Sequence, residues 1–124
     1  MARILIAEDE RDIRDLISFT LNYNGHEVVV TTNGEEALAV TQNIQPDLVL
    51  LDIRMPRMTG YETCKQLKAN AATHDIPVIF LSAKGQEAEV NLGFEVGAVE
   101  YIVKPFSPDQ LIEIINTVLT KNGD

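Results

Sequence analysis

The chain holds a single cysteine, Cys64, among 124 residues. One thiol cannot close an internal disulfide, which excludes a disulfide-stapled scaffold and suits a reducing cytosol. Basic residues are also few: ten Lys and Arg against nineteen Asp and Glu leave a net charge of −9. Nucleic-acid binding depends on cations that neutralise phosphates, so this surface repels nucleic acid and no direct contact with it is expected. No apolar run approaches the ~20 residues that cross a bilayer. The start, Met1-Ala2-Arg3 and then Ile4-Leu5-Ile6-Ala7, is too short for a signal peptide. A cytoplasmic protein with no membrane partner is the expectation. Repeats, low-complexity stretches and Pro/Gly/Ser-rich linkers are missing as well, so the chain is read as one domain, residues 1–121, with 122–124 as a tail.

What is there is a 45% hydrophobic composition, enough for a core at this length, arranged in a strict alternation. Short apolar runs recur at Ile4–Ala7, Val28–Val30, Leu48–Leu51, Val78–Leu81 and Tyr101–Val103. Continuous, β-branched runs of this kind read as strands buried on both faces of a parallel sheet. Between them lie helical patterns, such as Ile13, Leu16, Ile17 and Leu21, or Leu111, Ile114, Ile115 and Val118. Capping-box spacings mark helix starts at Asn33/Glu36, Thr59/Glu62 and Ser107/Gln110, and Asn24-Gly25 and Gly97 mark stops. Five βα units in succession predict an α/β, doubly wound (βα)5 sheet with the flavodoxin-like order 2-1-3-4-5. Ligands of such sheets bind outside the carboxyl ends of the strands, where the winding reverses.

Each predicted strand near that point ends in a polar group: Glu8-Asp9 after the first, Asp52 after the third, Ser82-Ala83 after the fourth, Lys104-Pro105 after the fifth. Two carboxylates ~5 Å apart repel by about 3 kcal/mol at an effective dielectric of ~20. A hard divalent cation relieves that, and Mg²⁺ characteristically takes one or two carboxylates together with phosphate oxygens. With Lys104 and the Ser82 hydroxyl on the other flank, the set has the character of a phosphoryl-transfer site. Asp52, central among them, is the candidate nucleophile that would become an aspartyl phosphate.

Along its whole length the sequence resembles the receiver domains of two-component response regulators, particularly single-domain, chemotaxis-regulator-like ones. The residues that carry the likeness are Glu8-Asp9, Asp52, Met55-Pro56 with Gly60, Ser82-Ala83, Gly97-Ala98, Tyr101 and Lys104-Pro105-Phe106. The resemblance implies Asp52 as phosphoacceptor, and Mg²⁺ held by Asp9, by Glu8 mainly through a water, by Asp52 and by the backbone carbonyl of Arg54. It implies phosphate contacts from Ser82, Lys104 and the N–H groups of Met55 and Ala83, and a cis Lys104-Pro105 peptide. Ser82, where threonine is commoner, and Tyr101 would form the switch pair. The side chains of Arg54 and Lys84 stand where the family varies. Implied partners are a sensor histidine kinase or phosphotransfer protein and a downstream protein target on the fourth-helix, fifth-strand, fifth-helix face. The implied protein is a monomer or a weak phosphorylation-dependent dimer, and a switch rather than an enzyme with a turnover substrate. Val90, Leu92, Phe94 and Val96 cannot all face the sheet, which agrees with such a partner face.

Other readings stand beside these. Asp9 serves equally as a helix N-cap with Asp12 at the third position, Asp52 as a turn carboxylate, Ser82 as a local cap, and Lys104 as a solvated loop residue. Cys64, in step with Tyr61 and Leu67, reads as core, and His26 and His74 as turn residues. An aspartate-nucleophile phosphatase, a nucleotide-binding module of the same fold and a receiver that no longer takes phosphate are the competing functions. Arg54 stands where such a phosphatase would carry a second Asp, and Glu8-Asp9-Glu10 is the wrong charge for a phosphate loop. The last predicted helix lacks the charged pattern of DNA-binding regulator dimers, so a stand-alone receiver is expected over a fragment of a longer regulator.

Overall fold

The computed structural model describes residues 2–83 and 87–123, with Lys84 and the side chain of Val90 outside that description. The apolar runs become β1 (Arg3–Ala7), β2 (Glu27–Thr31), β3 (Leu48–Asp52), β4 (Val78–Ala83) and β5 (Glu100–Lys104). Helices α1 (Arg11–Tyr23), α2 (Gly34–Ile44), α3 (Gly60–Ala69), α4 (Glu87–Glu95) and α5 (Pro108–Gly123) alternate with them. α5 continues into the stretch expected as a tail. All strand pairs are parallel, in the order β2-β1-β3-β4-β5, the doubly wound topology that the alternation implied.

Side chains along a strand point alternately to its two faces, and the two faces are covered by different helices. Ile4, Ile6, Leu48, Leu50, Ile79 and Leu81 meet Ile17 and Leu21 of α1 and Leu111, Ile115 and Val118 of α5. Leu5, Ala7, Val49, Leu51, Val78 and Phe80 meet Ala37 of α2, Cys64 and Leu67 of α3, and Ala98. β3 is buried on both faces throughout, which is why its sequence reads as an unbroken apolar run up to Asp52. Leu16 departs from the expected stripe: it falls at the edge of the α1 apolar face and is exposed.

Helix starts follow the caps. Thr59 and Glu62 form a reciprocal capping box. Ser107 and Gln110 do the same, through bonds of 2.9 and 3.1 Å. Asn33 accepts from the Glu36 N–H at 2.9 Å, but the Glu36 carboxylate reaches back to the N–H of Thr32 rather than of Asn33. Such caps contribute about 1 kcal/mol each, and they set where α2, α3 and α5 begin beside the carboxyl rim of the sheet. Among the described residues, no helix is long and apolar enough to cross a membrane.

Candidate functional site

Strand register builds the site. Ala7 lies opposite Leu51, so the next residues, Glu8 and Asp52, come together where β1 and β3 end. Ala83 is paired with Lys104, which brings the lysine to the same rim from the other side. Carboxylate oxygens of Glu8, Asp9 and Asp52 all lie within 4.8 Å of one another. Lys104 Nζ is 3.2 Å from Asp52 Oδ2, 3.4 Å from Glu8 Oε1 and 3.7 Å from Glu10 Oε1. A cavity of about 380 Å³ opens over them, lined by Asp9, Glu10, Asp52, Ile53, Arg54, Leu81, Ala83 and Lys104.

Burial sets the electrostatics. Glu8 is 0% exposed and Asp52 5%, so both carboxyl groups lose water that would stabilise their charge. Burial, reinforced by the hydrogen bond and charge of Asp52, pushes the Glu8 carboxyl up to about 8 from an ordinary value of 4.5. The Glu10 N–H and Lys104 oppose that rise. For Lys104, burial acts to lower the ammonium, and the charges of Asp52 and Glu8 outweigh it, so its pKa is raised. A single lysine ammonium stands among three converging acidic side chains. The donors are hard oxygens, which suit Mg²⁺ rather than a thiophilic metal. The residues present therefore fit a magnesium ion.

The expected residues fall into three groups. Glu8, Asp9, Asp52 and Lys104 are brought together. Asp9 is exposed, and α1 is capped at Glu10, not Asp9, with no side-chain bond at the cap, so the alternative of Asp9 as N-cap is not what the chain adopts. Arg54 and Ala83 line the cavity, and the Arg54 N–H donates to Asp52 Oδ1 at 3.2 Å. The Met55 side chain is buried in the core. Ser82 and Tyr101 do not line that cavity. Ser82 is buried, with its hydroxyl donating to the Ala83 carbonyl at 3.2 Å. Tyr101 is half-buried and packs edge-on against Phe94, with ring centroids 5.8 Å apart. The Lys104-Pro105 peptide is cis. Lys84 lies outside the described residues.

Cys64 is buried in the core, and its thiol is pushed up to about 11 by burial. His26 Nδ1 accepts from the Ala2 N–H, and His74 lies 3.1 Å from Asp75. None of the three belongs to the site.

Arg14 was not expected there. From the first turn of α1 it donates to the carbonyls of Glu8 (3.0 Å) and Asp9 (3.4 Å) and so fastens the acidic loop from behind. A basic residue one turn into a helix that starts beside two acids was the only signal for it.

With this geometry in hand, comparison with known proteins is direct. The family model described as "Response regulator receiver domain" matches residues 4–116. The phosphate regulon transcriptional regulatory protein PhoB of Pseudomonas aeruginosa is 43% identical over 120 residues, which cover 97% of this chain and 52% of that protein. The sensory transduction protein RegX3 of Mycobacterium tuberculosis is 40% identical over 124 residues, 100% of this chain and 53% of its own. The chain thus spans about half the length of these curated relatives. Among solved structures, a putative response regulator from Chloroflexus aurantiacus superposes with a TM-score of 0.93 at 31% identity, covering 96% of this chain and 98% of that one. The chemotaxis response regulator CheY4 of Vibrio cholerae gives 0.90 at 34%, covering 95% and 98%. The chain belongs to the response regulator receiver domain family of two-component systems.

Proposed function

We propose that Asp52 is the phosphoacceptor of a phosphorylation-controlled switch, charged by the phosphohistidine of a sensor kinase or phosphotransfer protein. One Asp52 oxygen attacks phosphorus, the P–N bond breaks, and its electron pair leaves on the imidazole, giving an acyl phosphate on Asp52. Attack by water on the same phosphorus later releases inorganic phosphate and restores the carboxylate. Lys104 stabilises charge on the transferring oxygens, and Ser82 with the N–H groups of Met55 and Ala83 binds the phosphoryl group once in place. Asp9, Glu8 through a water, Asp52 and the Arg54 carbonyl hold Mg²⁺. Bound there, the metal supplies neutralisation of the phosphoryl oxygens.

The observation that carries this reading is the placement of Asp52: on the cavity, 3.2 Å from a lysine, with carboxylate oxygens of Glu8 and Asp9 within 4.8 Å. In the phosphorylated state the Ser82 hydroxyl leaves the Ala83 carbonyl for the phosphate, and Tyr101 turns inward from Phe94. The face formed by α4, β5 and α5 thereby changes for a downstream protein. Support for that face comes from Leu92, Phe94, Val99 and Val103, which are exposed apolar residues on or beside those elements. The domain, whose last helix α5 runs to Gly123, acts in the cytoplasm as a monomer or weak phosphorylation-dependent dimer, and itself makes no contact with nucleic acid.

Intact mass after treatment with a small acyl phosphate and Mg²⁺ tests the reading. One added phosphoryl group is expected, lost with EDTA and lost in Asp52→Asn. Equal labelling of Asp52→Asn overturns the assignment.

A further inference from the structure

Between Asp52 and Gly60 the chain makes a turn that it would not hold alone. Arg57 has φ +70°, and the Met58 N–H donates to the Pro56 carbonyl at 2.8 Å. That is a γ-turn with a positive central φ, a rare and strained conformation for a residue with a side chain. Such backbone persists only where its surroundings over-determine it.

The surroundings here are the first turn of α2. A Cβ at Gly34 would overlap the Met58 carbonyl oxygen and Thr63 Oγ1, and would stand 2.8 Å from the Met58 carbonyl carbon. Only a hydrogen leaves the loop where it is. The next residue, Glu35, places Oε1 3.5 Å from Arg57 Nη1, on the strained residue itself. The turn of α2 that carries both is held by the Asn33 cap on the Glu36 N–H and the Glu36 carboxylate on Thr32. On the far side, Gly60 donates to the Ile53 carbonyl at 2.9 Å, and a Cβ there would overlap the Asp52 carbonyl oxygen.

We propose that Gly34 and Glu35 are positioning residues for phosphoryl transfer: seated against Met58 and Arg57, they hold the loop that presents the Arg54 carbonyl and Met55 N–H. This rests on the reading of Asp52 as acceptor and adds the element that shapes its site from outside. Neither residue lines the cavity over the carboxylates. A methyl at Gly34 would push on the Met58 backbone of the loop and on the Thr63 hydroxyl of α3, just beyond it, and ångström-scale misplacement of a reacting constellation can cost ~100-fold in rate.

Two measurements test it: the rate of acyl-phosphate labelling across a Mg²⁺ titration, and backbone amide shifts of residues 54–59 through the same titration. In Gly34→Ala the labelling rate falls about tenfold or more, the Mg²⁺ midpoint rises, and the amides of 54–59 move. Glu35→Arg, which sets two cations together on the surface, slows labelling about two- to threefold. The double variant Glu35→Arg/Arg57→Glu restores the rate, a rescue that loss of fold does not give. Gly34→Ala with wild-type amide shifts and Mg²⁺ midpoint overturns the proposal, as does a charge reversal that the swap fails to repair. If Gly34→Ala does not fold, the charge-swap series decides. If the wild-type chain takes no phosphoryl group, the acceptor reading fails by itself, and the amide shifts and Mg²⁺ midpoints of the same variants still decide whether α2 holds the loop.

Discussion

On the α1/α5 side of the sheet the buried cluster, among the described residues, is made of Ile, Leu and Val, twelve residues from Ile4 to Val118. On the α2/α3/α4 side the corresponding cluster mixes Leu and Val with Ala7, Ala37, Ala98, Cys64, Met55 and Phe80. The second side is also where backbone comes closest. Gly34 lies on Met58, Gly60 on Asp52, and Gly93 on the Phe80 ring. One side is filled by interlocking branched chains, the other by small residues and glycines that let loops and helices approach. The loop after Asp52 and the proposed switch elements belong to the second side, so the aliphatic layer is read as the platform and the mixed layer as the part whose close backbone contacts shape the site.

Cutting into the platform sharpens the contrast most. Leu21→Ala removes a fully buried side chain from the aliphatic layer and is expected to cost about 2–5 kcal/mol in urea unfolding. Labelling of Asp52 in the folded fraction stays at one phosphoryl group. A Leu21→Ala protein that folds well but takes no phosphate would tie the site to the platform and break the division.

Next in size is the rim where the two layers meet. The folded-state pKa of Glu8 is raised to about 8 from 4.5, so in between the folded state binds the proton that the unfolded chain has released. Stability is then fully present below pH 4.5 and is lost as pH rises through about 8. Between pH 5.5 and 7.5 the metal-free protein should lose up to about 2–3 kcal/mol, at ~1.4 kcal/mol per unit. Glu8→Gln flattens the slope, and so does saturating Mg²⁺, which favours the ionised carboxylates. A slope unchanged in Glu8→Gln would place the titration elsewhere.

Within the mixed layer, Gly93→Ala drives a methyl into the Phe80 ring, which is itself packed edge-on by Tyr61 at 5.5 Å. Overpacking of this kind costs about 1–3 kcal/mol, read from the same urea transitions. A neutral Gly93→Ala would mean that α4 lifts freely from β4, and that the mixed layer is looser than its contacts suggest.

The part of this organisation visible in the sequence was the part written in local pattern. Parallel strands buried on both faces leave continuous apolar runs, and each run stops where a charge begins, so Glu8, Asp9, Asp52 and Lys104 could be set on one rim before any coordinates. Thr59/Glu62 and Ser107/Gln110 marked helix starts because a reciprocal cap needs those residues three apart. Arg14 was hidden because its partners are backbone carbonyls, which have no letter in a sequence. Gly34 was hidden for a related reason: its neighbour, Met58, is distant along the chain, and a glycine that makes room looks the same as one that makes a turn. Leu16 obeyed the helical period yet came out exposed, since period alone does not say how wide a face the sheet covers.

Leu92 offers the smallest effect and the finest test of where the mixed layer ends. It is 46% exposed on α4, with Phe94 at 42%, and the two lie on different sides of the helix, 200° apart at 100° per residue. A helix that must hold the core with both would bury both. Leu92→Ala should therefore move unfolding free energy by no more than about 0.5 kcal/mol, the usual range for a surface substitution. A loss above about 1 kcal/mol would make Leu92 a structural contact of the kind that large-to-small core changes expose. The α4 surface would then belong to the molecule's own packing, with correspondingly less of it left for a partner.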